Sequence, residues 1–234
     1  GKYVASCLRD LLGRVSFIEG SSESTTGVLV ECVGDELRAI ATDGQRIHIA
    51  SAELGATAAP RSLRLPAELV PLLVEACTQD AGEVAVWENE LFLLIETTGA
   101  RIEGFRVREQ YVEYQSVLPR RFTGNVVVLS EALRGALRRL AVVADRPWDG
   151  VELRSAHDHL LLSVGDDAYG GQERIEARVE GSVKTMQVRL KHLLEAAEVI
   201  QDHLSIQTAG ADQPVMAVVG DGLSAYLKIF TAPS

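Results

Sequence analysis

GVLVECVGDELRAIATDG, residues 27–44, returns as GVELRSAHDHLLLSVGDD, residues 150–167. The two stretches align without a gap at an offset of 123. Gly27 falls on Gly150, Val28 on Val151, Asp35 on Asp158, Leu37 on Leu160 and Asp43 on Asp166. In the first copy Val28, Val30 and Cys32 share one face at period 2, and Leu37, Ala39 and Ala41 do the same beyond Gly34-Asp35. Alternation on both sides of a Gly-Asp turn predicts a β-hairpin. The chain therefore carries one hairpin twice, and its flanks can be compared copy by copy.

A helix is expected before each hairpin. In YVASCLRDLLGRV, residues 3–15, the apolar face is Val4, Leu8, Leu11, Leu12 and Val15. In LSEALRGALRRLAVVA, residues 129–144, it is Leu133, Leu137, Leu140 and Ala144, with Ser130 placed as the N-cap. A second helix follows each hairpin, PAELVPLLVEACTQ at 66–79 and RLKHLLEAAEVIQ at 189–201. Further apolar strands come after each, such as EVAVWENELFLLIE at 83–96. A repeat longer than 100 residues indicates duplicated domains, not a solenoid. The expected fold is α+β: two tandem domains, 1–119 and 120–234, each a β-sheet with two helices on one face.

The chain has 234 residues, 47% of them apolar, enough for two cores. No apolar run approaches the ~20 residues that cross a bilayer, so no membrane association is expected. The N-terminus is periodic and charged, unlike a signal peptide, and a cytoplasmic location is expected. The first residue is Gly, not Met, which fits a chain processed or cut from a longer one. Net charge is −10. Residues 1–119 carry 10 basic and 18 acidic side chains; residues 120–234 carry 13 and 15. Basic charge gathers in residues 120–146, with Arg120, Arg121, Arg134, Arg138, Arg139 and Arg146 against Glu131 and Asp145. An acidic body does not exclude nucleic acid when a basic stripe lies on it. Cys7, Cys32 and Cys77 are odd in number and lack a C-x-x-C pair, so buried free thiols are expected, not a disulfide framework or zinc site. His157-Asp158-His159 reads as an exposed turn. No nucleotide-binding, nucleophile-elbow or metalloprotease motif is present. No cofactor, metal site or catalytic residue is expected.

In AIATDGQRIHIA, residues 39–50, a turn at Thr42-Asp43-Gly44 is followed at once by Gln45 and Arg46. A guanidinium in so short a turn belongs either to an ordinary solvated hairpin or to the lip of a binding surface. Taken with the doubled architecture, the stretch 41–46 resembles the A-T-D-G-H-R of the bacterial DNA polymerase III beta subunit, the sliding clamp family. Val117-Leu118-Pro119 resembles that family's V-L-P at a domain junction, Tyr111-Val112-Glu113-Tyr114 its F-P-D-Y, and Trp148-Asp149-Gly150-Val151 its F-R-G-V. The resemblance spans essentially the whole chain and is to the family's middle and C-terminal domains.

The resemblance implies a homo-oligomeric ring around duplex DNA, without chemistry of its own, that tethers polymerase, clamp-loader and repair proteins through short peptides. It implies a peptide cleft that includes Thr42, Gly44, Gln45, Arg46, Ile47, Val112, Val117, Trp148, Leu227 and Ile229. An apolar pocket with a few polar groups at its rim suits a short anchored peptide. Here Gln45 stands where His is usual, Thr25 and Ser116 replace an apolar and a basic residue, and the tail reads IFTAPS; weaker peptide binding is the expected consequence. Helices facing DNA would use Lys2, Arg9, Arg134, Arg138, Arg139, Arg189 and Lys191, while residues 66–80 hold Glu68, Glu75 and Asp80 and no base. Weak, sequence-independent DNA binding carried by the second domain is expected. The alternative is a divergent clamp-fold dimerisation or interaction module of a longer, regulatory protein.

Overall fold

A computed structural model describes residues 2–54, 61–79, 82–144, 150–165, 169–209 and 215–229. The chain divides into two compact units, Gly1–Tyr114 and Gln115–Ser234. They part a few residues ahead of the Pro119 join read from the sequence. Each unit runs one pattern twice: a strand, a helix and three strands.

In the first unit these are β1 (Lys2–Val4), α1 (Ala5–Gly13), β2 (Val28–Val33), β3 (Glu36–Thr42) and β4 (Arg46–Glu53), then β5 (Arg61–Leu65), α2 (Leu69–Gln79), β6 (Glu83–Glu88), β7 (Phe92–Glu96) and β8 (Arg101–Phe105). In the second they are β9 (Phe122–Leu129), α3 (Ser130–Val143), β10 (Gly150–Ala156), β11 (His159–Gly165) and β12 (Gly170–Glu176), then an added β13 (Arg178–Gly181), β14 (Met186–Arg189), α4 (Leu190–Glu198), β15 (His203–Ala209), β16 (Val215–Gly220) and β17 (Leu223–Lys228).

The opening strand of each half pairs with the other half's strands. β1 adds to β6-β7-β8 while β5 adds to β2-β3-β4; β9 adds to β15-β16-β17 while β14 adds to β10-β11-β12. Each unit therefore holds two antiparallel sheets where the sequence reading had one. Period-2 patterning shows which residues share a face, but not which strands share a sheet.

The two helices of each unit pack on each other, α1 on α2 and α3 on α4. Leu8 and Leu12 of α1, Leu73 of α2, and Leu37, Ile40, Leu93 and Ile95 of the strands are fully buried. Leu133 and Leu137 of α3, Leu193 of α4 and Leu153 of β10 are buried in the second unit. Each such side chain contributes about 1.5–3 kcal/mol of burial free energy.

Three helices start directly from a strand without a side-chain cap, on the extended residues Val4, Leu129 and Arg189. This corrects two expectations. Val4 belongs to β1 and is 54% exposed, so it is not part of the helix face. Ser130 is the first helical residue, not the cap. A main-chain carbonyl serves instead. Ala5 N donates to Gly82 O at 2.9 Å and Ser130 N to Asp202 O at 2.8 Å. Both acceptors lie just before the strand that pairs with the one leading into the helix, so the strand exchange also satisfies a helix-start donor. Ala144, expected on the apolar face of α3, is half-buried just past its end. Cys32 and Cys77 are buried free thiols, while Cys7 is half-buried.

The repeated hairpins are equivalent to the residue. Leu29 faces Ile40 in β2–β3, and Glu152 faces Ser163 in β10–β11, each pair related by the same offset of 123. Their leading glycines do different work. Gly27 has φ +77°, and a Cβ there would lie 2.2 Å from Leu65 O of β5. At Gly150 a Cβ would meet only the flexible Gln187 side chain. Gly27→Ala should therefore cost about 2–4 kcal/mol, through left-handed strain and a backbone clash, and Gly150→Ala about 1 kcal/mol or less. Urea unfolding of the two variants checks this, and equal losses would contradict it.

Candidate functional site

The turn after β3 is built from its own side chains. Asp43 Oδ1 accepts from the main-chain N–H of Gln45 at 2.9 Å and of Arg46 at 3.0 Å. Thr42 Oγ1 donates to Arg46 O at 2.7 Å and accepts from Gly44 N at 3.2 Å. Gly44 takes φ +84°, which the turn requires and glycine supplies at little cost. Arg46 Nε donates to Asp43 Oδ2 at 3.0 Å. Its guanidinium sits over the Phe17 ring, 5.7 Å from the centroid. The same ring meets buried His48 edge-on at 5.3 Å.

This places the guanidinium that the sequence left open. Arg46 is only 6% exposed and braces the turn from inside. Thr42 and Ile47 are buried too, leaving exposed Gly44 and half-buried Gln45 as the residues the turn presents. Phe17, invisible as a site residue in the sequence, carries both Arg46 and His48. A lone aromatic between a helix and a loop gives no periodic signal.

A second arginine straps the segment after β8 to the same unit. Arg64 of β5 donates to the main-chain oxygens of Thr26 and Glu109, at 2.8 and 2.7 Å, and to that of Glu23. Its guanidinium lies 5.1 Å from the Tyr111 ring centroid. Tyr111 Oη donates to Ile40 O at 3.3 Å, and Val112 N donates to Ser24 O at 3.0 Å. Tyr114 Oη donates to Glu31 Oε2 at 2.8 Å. These bonds hold exposed Val112 in a fixed place on the first unit. Thr25 is tied to Ser22 through its hydroxyl at 2.8 Å.

In the second unit, Val117 is exposed at the end of a short 3₁₀ turn (Tyr114–Val117), as is Ser116. Leu227 is a core residue of β17, opposite Met216, and Ile229 follows that strand half-buried. Trp148 and the tail residues 230–234 lie outside the described residues.

The basic candidates are spoken for within their own units. Lys2 Nζ pairs with Glu83 at 2.7 Å, Arg9 with Asp10 at 2.8 Å, Arg138 with Glu198 at 2.9 Å and Lys191 with Glu195 at 3.7 Å. Arg139 grips both oxygens of Glu173, at 2.7 and 2.9 Å, and holds that carboxyl below its ordinary pKa. Exposed pairs of this kind hold weakly against solvent, so a competing phosphate can displace the carboxylate cheaply. Arg134 is different. Its Nη1 donates to Ala197 O at 3.1 Å and Ile200 O at 2.6 Å, satisfying carbonyls at the end of α4. Arg189 ends β14 half-buried, directly before α4. The α2 span Leu69–Gln79 contains no Lys or Arg. Asp158 bonds His159 Nδ1 at 2.6 Å across the expected turn, and no cluster able to hold a metal occurs among the described residues.

Arg134→Ala should cost the second unit about 1–3 kcal/mol by orphaning α4 carbonyls, whereas Arg138→Ala should cost under about 1 kcal/mol; thermal unfolding separates them. Burial pushes the Tyr111 hydroxyl up to about 12, with Arg64 pulling the other way. A folded-state value above the unfolded one of about 10 means that the stabilisation is complete below pH ~10 and is lost as pH rises through ~12. Tyr111→Phe should shrink the alkaline loss of stability, measured by unfolding at successive pH values, and an unchanged loss would contradict it.

No family model matches the chain. The beta sliding clamp of Vibrio cholerae is 23% identical over 227 residues, covering 95% of this chain and 62% of the relative. That of Synechococcus elongatus is 26% identical over 208 residues, covering 82% and 53%. The chain thus spans between about half and three fifths of the curated relatives it matches. Among solved structures, the DNA polymerase III beta subunit of Thermotoga maritima superposes with a TM-score of 0.89 at 17% identity, covering all of this chain and 65% of its own. That of Pseudomonas aeruginosa gives 0.89 at 20% identity, covering 99% and 66%.

Proposed function

We propose that the chain is a member of the beta sliding clamp family and works as a clamp-like, non-catalytic tether that keeps polymerase and repair proteins on duplex DNA. The observation that carries this reading is the sequence match to beta sliding clamps over 82–95% of the chain, joined to a fold shared with beta-subunit structures. No described helix is long and apolar enough to cross a membrane.

DNA contact in this reading is electrostatic and loose. A tether that must slide needs phosphate attraction without base contacts. Arg138, Arg139 and Lys191 supply it by exchanging their carboxylate partners for phosphate. Lys2 and Arg9 do the same on the first unit. The acidic partners stay close, so the net attraction is weak. Arg134 contributes mainly by keeping α4 capped. Peptide contact uses Gly44, Gln45 and Val112, held rigid by the Asp43–Arg46 and Arg64–Tyr111 braces, with Ile47 behind them. A rigid turn binds with less ordering cost than a mobile loop. Val117, Trp148, Leu227 and Ile229 are the corresponding candidates of the second unit.

The test is fluorescence anisotropy of the intact native assembly on unrelated duplexes over a range of salt. Weak binding should appear, equal for all sequences. The Arg138→Ala, Arg139→Ala double variant should flatten the log–log salt slope by about 0.9 for each phosphate ion pair removed. Strong preference for one sequence, or no DNA binding at any salt, would overturn the tether reading and favour an interaction module. In parallel, a labelled clamp-binding peptide should bind weakly and lose affinity with Trp148→Ala; tight binding indifferent to that change would remove the peptide site.

A further inference from the structure

The turn after β3 carries a charged pair whose two members are not equally exposed. Arg46 Nε meets Asp43 Oδ2 at 3.0 Å, with the arginine side chain 6% exposed and the aspartate 21%. The base is also held by Phe17, whose ring centroid lies 5.7 Å from the guanidinium carbon. That is within the ~6 Å over which a ring face attracts a cation. A guanidinium is weakly hydrated and settles on a ring face more readily than an ammonium. The ring is itself fixed. Val15 and Ile18 are buried close to it in sequence, and the segment is tied down by Ser16 N donating to Leu12 O at 2.8 Å and Ile18 N to Val15 O at 3.1 Å. His48 of β4 meets the ring at 5.3 Å and 84°, the T-shaped arrangement that aromatic pairs favour.

The surface beside the turn has the same sense. Tyr111 Oη donates to Ile40 O at 3.3 Å, which sets the strap of residues 107–114 against β3 where that strand runs into the turn. On the strap Glu109 and Glu113 are exposed on either side of Val112, against one exposed base, Arg108. Arg64, beside the Tyr111 ring, is buried and donates to main-chain oxygens. Two arginines of this region are therefore held within the unit while its carboxylates stay outside. Arg46, a guanidinium that the sequence places at the lip of a binding surface, is not what an approaching ligand meets. It meets exposed Gly44, the half-buried Gln45 amide and the Asp43 carboxylate. An acidic group brought to this turn is opposed by a partly exposed carboxylate, while the guanidinium is committed to Asp43 and Phe17.

We propose that the Thr42–Arg46 turn selects against acidic peptides, and that Phe17 is the positioning residue that sets this selectivity by keeping Arg46 turned in. Asp43 is not enough for this by itself. Its Oδ1 already serves the main-chain N–H groups of Gln45 and Arg46, and an ion pair that loses the cover of the ring becomes a solvated one, which holds weakly. The guanidinium is then able to answer an incoming carboxylate. Leucine at position 17 keeps apolar volume but has no ring face, whereas tyrosine keeps both. The selectivity rests on the peptide-binding reading above; the positioning of Arg46 is a property of the first unit by itself.

Pairs of a labelled clamp-binding peptide that differ by one Asp/Asn exchange, scanned along the peptide and titrated on the intact chain, test it. At the position that meets the turn, the native chain should bind the Asn form about threefold more tightly. Phe17→Leu should erase that discrimination and Phe17→Tyr should keep it. Phe17→Leu combined with Arg46→Gln should recover it, because Asp43 then stands without its base. A merely structural role for Phe17 would weaken both forms alike. Arg46 is also followed without peptide, by hydrogen exchange at its Nε–H in nitrogen-15 spectra. Exchange should be slow in the native chain and in Phe17→Tyr, and about tenfold faster in Phe17→Leu. Equal discrimination in the native and Phe17→Leu chains, or exchange as slow in Phe17→Leu as in the native chain, would overturn the proposal. If neither form binds at any position, the peptide-binding reading fails and the selectivity with it, while the exchange rates still decide whether Phe17 positions Arg46.

Discussion

The exchange of opening strands between half-units is the constraint on which the rest of each unit depends. β1 leaves its own half to join β6, and β5 leaves its half to join β2. The second unit repeats this with β9 and β14. Because a helix follows each exchanged strand with little or no loop, the exchange brings both helices side by side. Neither half can then complete its sheet without the other. Long-range pairing of this kind makes a unit cooperative at the cost of early loop closure. The same crossing satisfies helix-start donors: Gly82 O and Asp202 O accept from Ala5 N and Ser130 N because the strand pairing brings them there.

Three arginines show how one side chain serves different structural ends. Arg46 is buried over Phe17 and held by Asp43. Arg64 gathers main-chain oxygens from distant segments under Tyr111. Arg134 caps the end of α4. In each case the planar fork meets several acceptors at once, which a lysine ammonium does less well. Their guanidiniums are thereby withdrawn from any ligand. Charge counted along the chain overstates the charge available for binding.

The surface arginines sit at the other extreme. Arg138, Arg139 and Arg101 face carboxylates across exposed ground, where the pairs hold weakly. Such pairs set a threshold that an anionic partner must exceed, so they moderate affinity instead of creating it. For the proposed sliding tether, moderate affinity is the useful kind, because tight or base-specific contacts would arrest motion.

The sequence by itself determined the duplication, the hairpin register and the α+β class, because each is written in local periodicity. The offset of 123 carried Leu29–Ile40 onto Glu152–Ser163 without error. It also marked the turn at Thr42-Asp43-Gly44 and the core faces through Leu8, Leu12, Leu133 and Leu137. Only the tertiary structure decided which strands share a sheet, since exchange between halves leaves the face pattern unchanged. It likewise decided that Val4 ends a strand, that a carbonyl replaces the Ser130 cap, and that Arg46 and Arg134 turn inward while Arg138 stays exposed. The acceptors that fix those two guanidiniums differ in kind. Asp43 is a neighbour in sequence, whereas Ala197 O and Ile200 O approach Arg134 only when α4 packs on α3. Contacts made across a packed core leave no spacing in the chain from which they could be read.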